Sequence, residues 1–124
     1  IHVDDHVDAL IAISQKGKIG ESYNIGSNNE INNNKIVNTI CSVGHSLIDQ
    51  NFDYKSLIRH VDDRPGHDFR YAMDTRKINN SIGWMSKINF DEGITATFDW
   101  YLNNMSWVES CLEKDNVLKR QGVL

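Results

Sequence analysis

Apolar residues recur along this chain mostly at helical intervals. Asp4 and Asp5 supply N-cap chemistry, and after them Val7, Leu10 and Ile11 share one face of a helix that closes before Gly17 and Gly20. Ile36, Val37, Ile40, Cys41, Leu47 and Ile48 repeat in the same way after an Asn-rich stretch at 28–34 that offers caps. Asp74 and Thr75 can cap a short helix over Lys77 to Ile82, closed by Gly83, with Trp84 as a core anchor. Asp91 opens a further helix whose apolar face is Ile94, Thr97, Phe98, Tyr101 and Leu102. Trp107, Val108, Cys111 and Leu112 continue that pattern after Asn103 and Asn104.

Between these helices the pattern shortens to a period of two. Ile1-His2-Val3 alternates as a strand end would, Ser22-Tyr23-Asn24-Ile25 is β-prone before Gly26, and Ile58-Arg59-His60-Val61 alternates before a turn at Pro65-Gly66. The expected class is therefore α/β, mostly helices with two or three short strands.

Composition narrows the function rather than the fold. A chain of 124 residues with 40% hydrophobic and 24% charged residues is sized for one core. A net charge of −4 and a pI near 5.6 argue against a nucleic-acid binder, which carries a clustered basic excess. Cys41 and Cys111 form no CxxC pair, so they read as two reduced thiols. No apolar run approaches the ~20 residues of a membrane span, and no signal-peptide pattern opens the chain, so a cytoplasmic protein is expected. The chain begins at Ile1 without an initiator Met, which weakens any inference from that end.

Chemistry-bearing residues concentrate in one run, Asp62-Asp63-Arg64-Pro65-Gly66-His67-Asp68-Phe69-Arg70. Arg64 can give two parallel hydrogen bonds to a diphosphate, Gly66 lets a ligand approach the backbone, and His67 can donate or accept near neutral pH. The competing reading is a solvated turn in which Arg64 and Arg70 pair with Asp63 and Asp68, and residue types alone favour it. His2 and His6 are spaced like helical zinc ligands, but no Glu follows His2, so no metal site is expected. Asn24 and Asn33 can hydrogen-bond a base or ribose, although Asn is also an ordinary loop residue. No nucleophile elbow or triad order is present. Gly17-Lys18-Ile19-Gly20 lacks the third glycine and preceding strand of a dinucleotide loop.

Taken in order, several of these segments resemble the C-terminal part of the dTDP-glucose 4,6-dehydratases, extended short-chain dehydrogenases that act on sugar nucleotides. They are Ile1-His2-Val3-Asp4-Asp5-His6, then Gly20-Glu21-Ser22-Tyr23-Asn24-Ile25-Gly26 with Asn29-Glu30, then Asp63 to Asp68 running into Arg70-Tyr71-Ala72-Met73-Asp74. Ile82-Gly83-Trp84, Phe90 to Gly93 and Trp100-Tyr101-Leu102 extend the likeness to about Trp107. The Tyr-Asn-Ile-Gly segment is common to the wider superfamily, whereas Arg-Pro-Gly-His-Asp followed by Arg-Tyr-Ala is much narrower. The resemblance implies a sugar-nucleotide-binding domain over 1–108, partial and without its Rossmann domain, followed by a helical tail over 109–124.

It further implies substrate contacts at Asn33 and at Asp63, Arg64, Pro65, Gly66 and His67, the last five closing over the nucleotide and diphosphate. In the family, NAD oxidises the sugar at C4, water leaves across C5 and C6, and the hydride returns to C6, giving a 4-keto-6-deoxy sugar. The residues for that chemistry are not found. None of Tyr23, Tyr54, Tyr71 or Tyr101 has a Lys four positions later, and Asp91-Glu92 follows Phe90 rather than Thr. The expectation is a fragment without catalytic residues, inactive alone, whose parent binds NAD through a missing N-terminal domain and forms a homodimer. A free-standing sugar-nucleotide-binding module is the alternative of another class, separable by sequence upstream of Ile1. A fragment of a UDP-sugar epimerase or decarboxylase is a third reading, against which the His67 loop argues.

Overall fold

The computed structural model describes residues 1–112. Five α-helices follow one another: α1 (Val3–Lys16), α2 (Asn33–Leu47), α3 (Arg76–Ile82), α4 (Phe90–Asn103) and α5 (Met105–Leu112), with a single 3-10 turn at Tyr54–Leu57 between α2 and α3. Each periodic apolar segment has become a helix. The 3-10 turn, which no periodicity announces, is started by Asp53, whose carboxylate accepts the Lys55 N–H at 3.1 Å.

Capping chemistry sets the boundaries. α1 starts earlier than its apolar spacing suggests, because the His2 imidazole acts as N-cap and accepts the Asp4 N–H at 3.2 Å. Asp4 and Asp5 therefore sit inside the first turn, where the helix dipole favours negative charge. Asn32 caps α2 through Lys35 N–H at 2.8 Å, and Asn89 caps α4 through Glu92 N–H at 2.9 Å. α3 stops at Gly83, whose φ of 76° is left-handed, as expected for a closing glycine.

The expected strands are absent among the described residues, and this corrects the α/β reading. Ile1-His2-Val3 leads directly into α1, and Ile58 to Val61 has no ladder partner. Ser22 to Ile25 lies beside the Met73 to Thr75 segment, but the tie is a side-chain amide, Asn24 Nδ2 donating to the Asp74 carbonyl at 3.2 Å. β-propensity largely measures packing on a half-buried surface. Tyr23 and Ile25 obtain that packing against the core without any backbone ladder.

The core is small. Ala9 of α1, Ile78 and Ile82 of α3 and the anchor Trp84 are buried, with Ala12, Ile13, Tyr23 and Ile25 packed around them. α2 packs on α4 and on the 3-10 turn, and Gly44 makes this possible: a Cβ there would sit 3.2 Å from the Tyr54 ring. α1 and the entry to α4 are joined by a buried carboxylate. Asp5, 3% exposed, accepts the backbone N–H of Lys87 at 3.1 Å and of Ile88 at 3.0 Å.

No described residue covers the outer face of α1. Val3, Val7, Leu10 and Ile11, spaced as one helical stripe, are each about half exposed or more. α5 includes residues 109–112, the first four of the expected tail 109–124. Residues 113–124 lie outside the described part. No helix among the described residues is long and apolar enough to cross a membrane.

Candidate functional site

The polar run expected to carry chemistry is organised by Asp63. Its Oδ1 accepts the Arg64 N–H at 2.8 Å and lies 2.7 Å from His67 Nδ1. The turn closes as His67 N–H donates to the Arg64 carbonyl at 3.3 Å, around Pro65 and Gly66. Gly66 has a φ of 72°, which a side chain would strain. The hydrogen bond from His67 and then the Arg64 N–H hold the Asp63 carboxyl below its usual range.

The arginines separate into two kinds, and neither follows the solvated-turn pattern. Arg70 pairs not with Asp68 but with Glu30, at 2.5 Å, tying the turn's far end to the Asn-rich segment. This pairing lowers the Glu30 pKa and raises that of Arg70. The Arg64 guanidinium makes no ion pair among the described residues; Asp63 accepts the Arg64 backbone N–H, and the guanidinium charge adds only a lesser lowering of the Asp63 pKa. A planar bidentate cation thus stands at the surface on a braced turn.

The remaining expected residues are placed as follows. Asn33 is the first residue of α2 and is exposed, and no hydrogen bond or ion pair links it to Asp63–His67. Glu30 and Arg70 bring the two segments together from far apart in sequence. Tyr71, not singled out as a contact from the sequence, sets its ring 6.4 Å from that of His67. A cleft of 220 Å³ opens beside the Asn-rich segment, with His2, Ser27, Asn29 and Gly93 among its walls, but no residue of 63–67 lines it.

The Gly17–Gly20 stretch is not built as a dinucleotide loop. Gly17 is the C-cap of α1, where a Cβ would fall 2.5 Å from the Ile13 carbonyl oxygen. The Gly17–Gly20 stretch therefore ends a helix instead of opening one, and it offers no helix N-terminus to a pyrophosphate. No group of three or more His, Cys, Asp or Glu side chains suited to a metal occurs among the described residues.

Just beyond the turn, Arg76 grips Asp74 with its side chain, closest at 2.6 Å, and with its backbone N–H at 2.9 Å. The side-chain bond and then the backbone bond depress the Asp74 pKa to about 2. A folded-state pKa below the unfolded one contributes stability that is present above the unfolded value and is lost as pH falls through the folded one. Thermal melts should therefore show a drop between pH about 4 and about 2 that is smaller in Asp74→Asn. An identical drop in both proteins would remove Asp74 from the acid response.

Comparison places the chain first in a class: its helical fold is similar to part of solved dTDP-glucose 4,6-dehydratases. It is similar in structure to dTDP-glucose 4,6-dehydratase from Bacillus anthracis str. Ames in complex with NAD, with TM-score 0.72 and 38% identity over 86% of this chain and 32% of that one. It is also similar to DesIV, a dTDP-glucose 4,6-dehydratase from Streptomyces venezuelae with NAD and TYD bound, with TM-score 0.74 and 32% identity over 86% and 31%. The family model described as GDP-mannose 4,6 dehydratase matches residues 1–97, and the chain belongs to that family. Among curated relatives, it is 42% identical to dTDP-glucose 4,6-dehydratase of Escherichia coli and 43% to the probable one of Sinorhizobium fredii, covering all of this chain and 35% of each relative. The chain thus spans about a third of the length of the relatives it matches.

Proposed function

We propose that this chain is the substrate-binding portion of a dTDP-glucose 4,6-dehydratase, with Asn33 and the turn Asp63, Arg64, Pro65, Gly66 and His67 forming its side of the nucleotide site. The observation that carries the reading is the Arg64 guanidinium, exposed and without an ion-pair partner among the described residues, on a turn braced by Asp63 and by the Glu30–Arg70 pair. Two fixed N–H donors in one plane match phosphate oxygens, and Pro65-Gly66 aims them. The names of its relatives and the NAD and TYD in the solved neighbours support the same ligand class.

The redox and elimination chemistry belongs to other residues of a longer protein, in an N-terminal Rossmann domain that holds NAD. The uncovered stripe of Val3, Val7, Leu10 and Ile11 is a surface of the right character to pack on it. Conversion of dTDP-glucose to the 4-keto-6-deoxy product and water then requires both parts, and this chain alone is inactive. Calorimetric titration with dTDP-glucose and UDP-glucose tests the reading, and tighter binding of the former is expected. Equal affinities would remove the thymidine assignment, no binding would remove the site, and turnover with added NAD would place catalysis within this chain.

A further inference from the structure

We infer that Asp63 is a positioning residue that fixes the tautomer of His67, so that the imidazole meets the ligand through a bare Nε2 acceptor. This rests on the reading of the turn as the nucleotide-sugar site. The geometry carries it: Asp63 Oδ1 lies 2.7 Å from His67 Nδ1 and also accepts the Arg64 N–H at 2.8 Å. An ionised carboxylate has no proton to give, so in the neutral ring the proton stands on Nδ1 and the lone pair on Nε2. A neutral histidine side chain free in water favours the Nε2–H form, and the carboxylate reverses that preference.

The same bonds argue against Asp63 as a direct phosphate contact. Its Oδ1 is committed within the turn, and a carboxylate beside a diphosphate is repelled by it. Arg64 and His67 then divide the recognition between them. Arg64 takes the phosphate oxygens, which are acceptors, and His67 Nε2 takes a hydrogen-bond donor of the ligand, a hydroxyl or imide N–H. The ring is suited to this because its side chain is 29% exposed, which leaves an edge open while Nδ1 is held. Asp68 and Arg64 are its charged neighbours in the turn, and Tyr71 its ring neighbour.

Nitrogen-15 NMR of the His67 ring in this chain, under conditions where the ring is neutral, should show a protonated Nδ1 and an unprotonated Nε2. Asp63→Ala should restore the Nε2–H form, while Asp63→Asn should keep the native one, because an amide oxygen can accept both N–H groups. For dTDP-glucose, Asp63→Ala should weaken binding about 3- to 10-fold, with most of that affinity retained in Asp63→Asn. In a His67→Ala background the same Asp63→Ala change should cost less than about twofold, since the effect acts through the ring. An Nε2–H ring in the unmodified chain, or an undiminished Asp63→Ala penalty in the His67→Ala background, would overturn the inference. Failure of the unmodified chain to bind dTDP-glucose would instead defeat the site assignment and the ligand half of this inference. The ring measurement would still decide the Asp63–His67 half.

Discussion

Asp5→Ala is expected to destabilise the fold by about 2–4 kcal/mol, read as a lowered urea midpoint with little change in slope. The carboxylate is 3% exposed and takes N–H groups from both Lys87 and Ile88, at 3.0 to 3.1 Å. Alanine leaves these partly buried donors without an acceptor, and an unsatisfied buried donor costs more than the bond itself contributes. The effect is large relative to the whole because, among the described residues, the buried hydrophobic core is only Ala9, Ile78, Ile82 and Trp84. Asp5→Asn should fall between, since its amide can accept through one oxygen but presents an NH₂ where the second carboxylate oxygen stood. A loss under about 0.5 kcal/mol for alanine would show that the tie between α1 and α4 does not support the fold.

That tie also bears on the site. Asp5 fixes the segment that enters α4, α4 packs on α2, and α2 begins at Asn33. Loosening the junction should let the Asn-rich end of α2 shift relative to the turn, which is held to it by Glu30 and Arg70.

Asp5 illustrates what could and could not be read from residue order. Helical periodicity, with capping residues for the short α3, located the α-helices of the described residues, because an amphipathic face is a local pattern repeated over several turns. It assigned Asp5 to capping, since its acceptors are local candidates, whereas its actual donors lie at the other end of the chain. The strands failed for a related reason. Alternation over four residues records half-burial, and a ladder needs a partner whose position the segment does not encode. Pro65-Gly66 made the turn readable, and Arg64 lies within it. Which arginine would stand without an ion pair was not readable, because Glu30 reaches Arg70 only in the folded chain. On sequence, Asp63 and Asp68 were the nearer partners, whereas Asp63 bonds the Arg64 backbone and His67.

Arg64→Ala should weaken dTDP-glucose binding by about 1–3 kcal/mol, on the order of 5- to 150-fold in Kd. Charge-assisted bonds to phosphate lie at the upper end of hydrogen-bond contributions, and among the described residues no carboxylate forms an ion pair with this guanidinium. Binding therefore breaks no ion pair, and the full contact is lost on truncation. Arg64→Lys should recover only part of the affinity, because a point charge keeps the attraction and loses the planar pair of donors. Arg70→Ala is the informative comparison. It removes an equal charge from the same loop, but one already neutralised by Glu30, so its effect should be smaller and arise through loosening of the turn. Thymidine, which has no phosphate, should bind the native chain and Arg64→Ala alike. Equal losses of dTDP-glucose affinity in Arg64→Ala and Arg70→Ala would indicate a general electrostatic pull, and no loss in Arg64→Ala would take Arg64 out of the site.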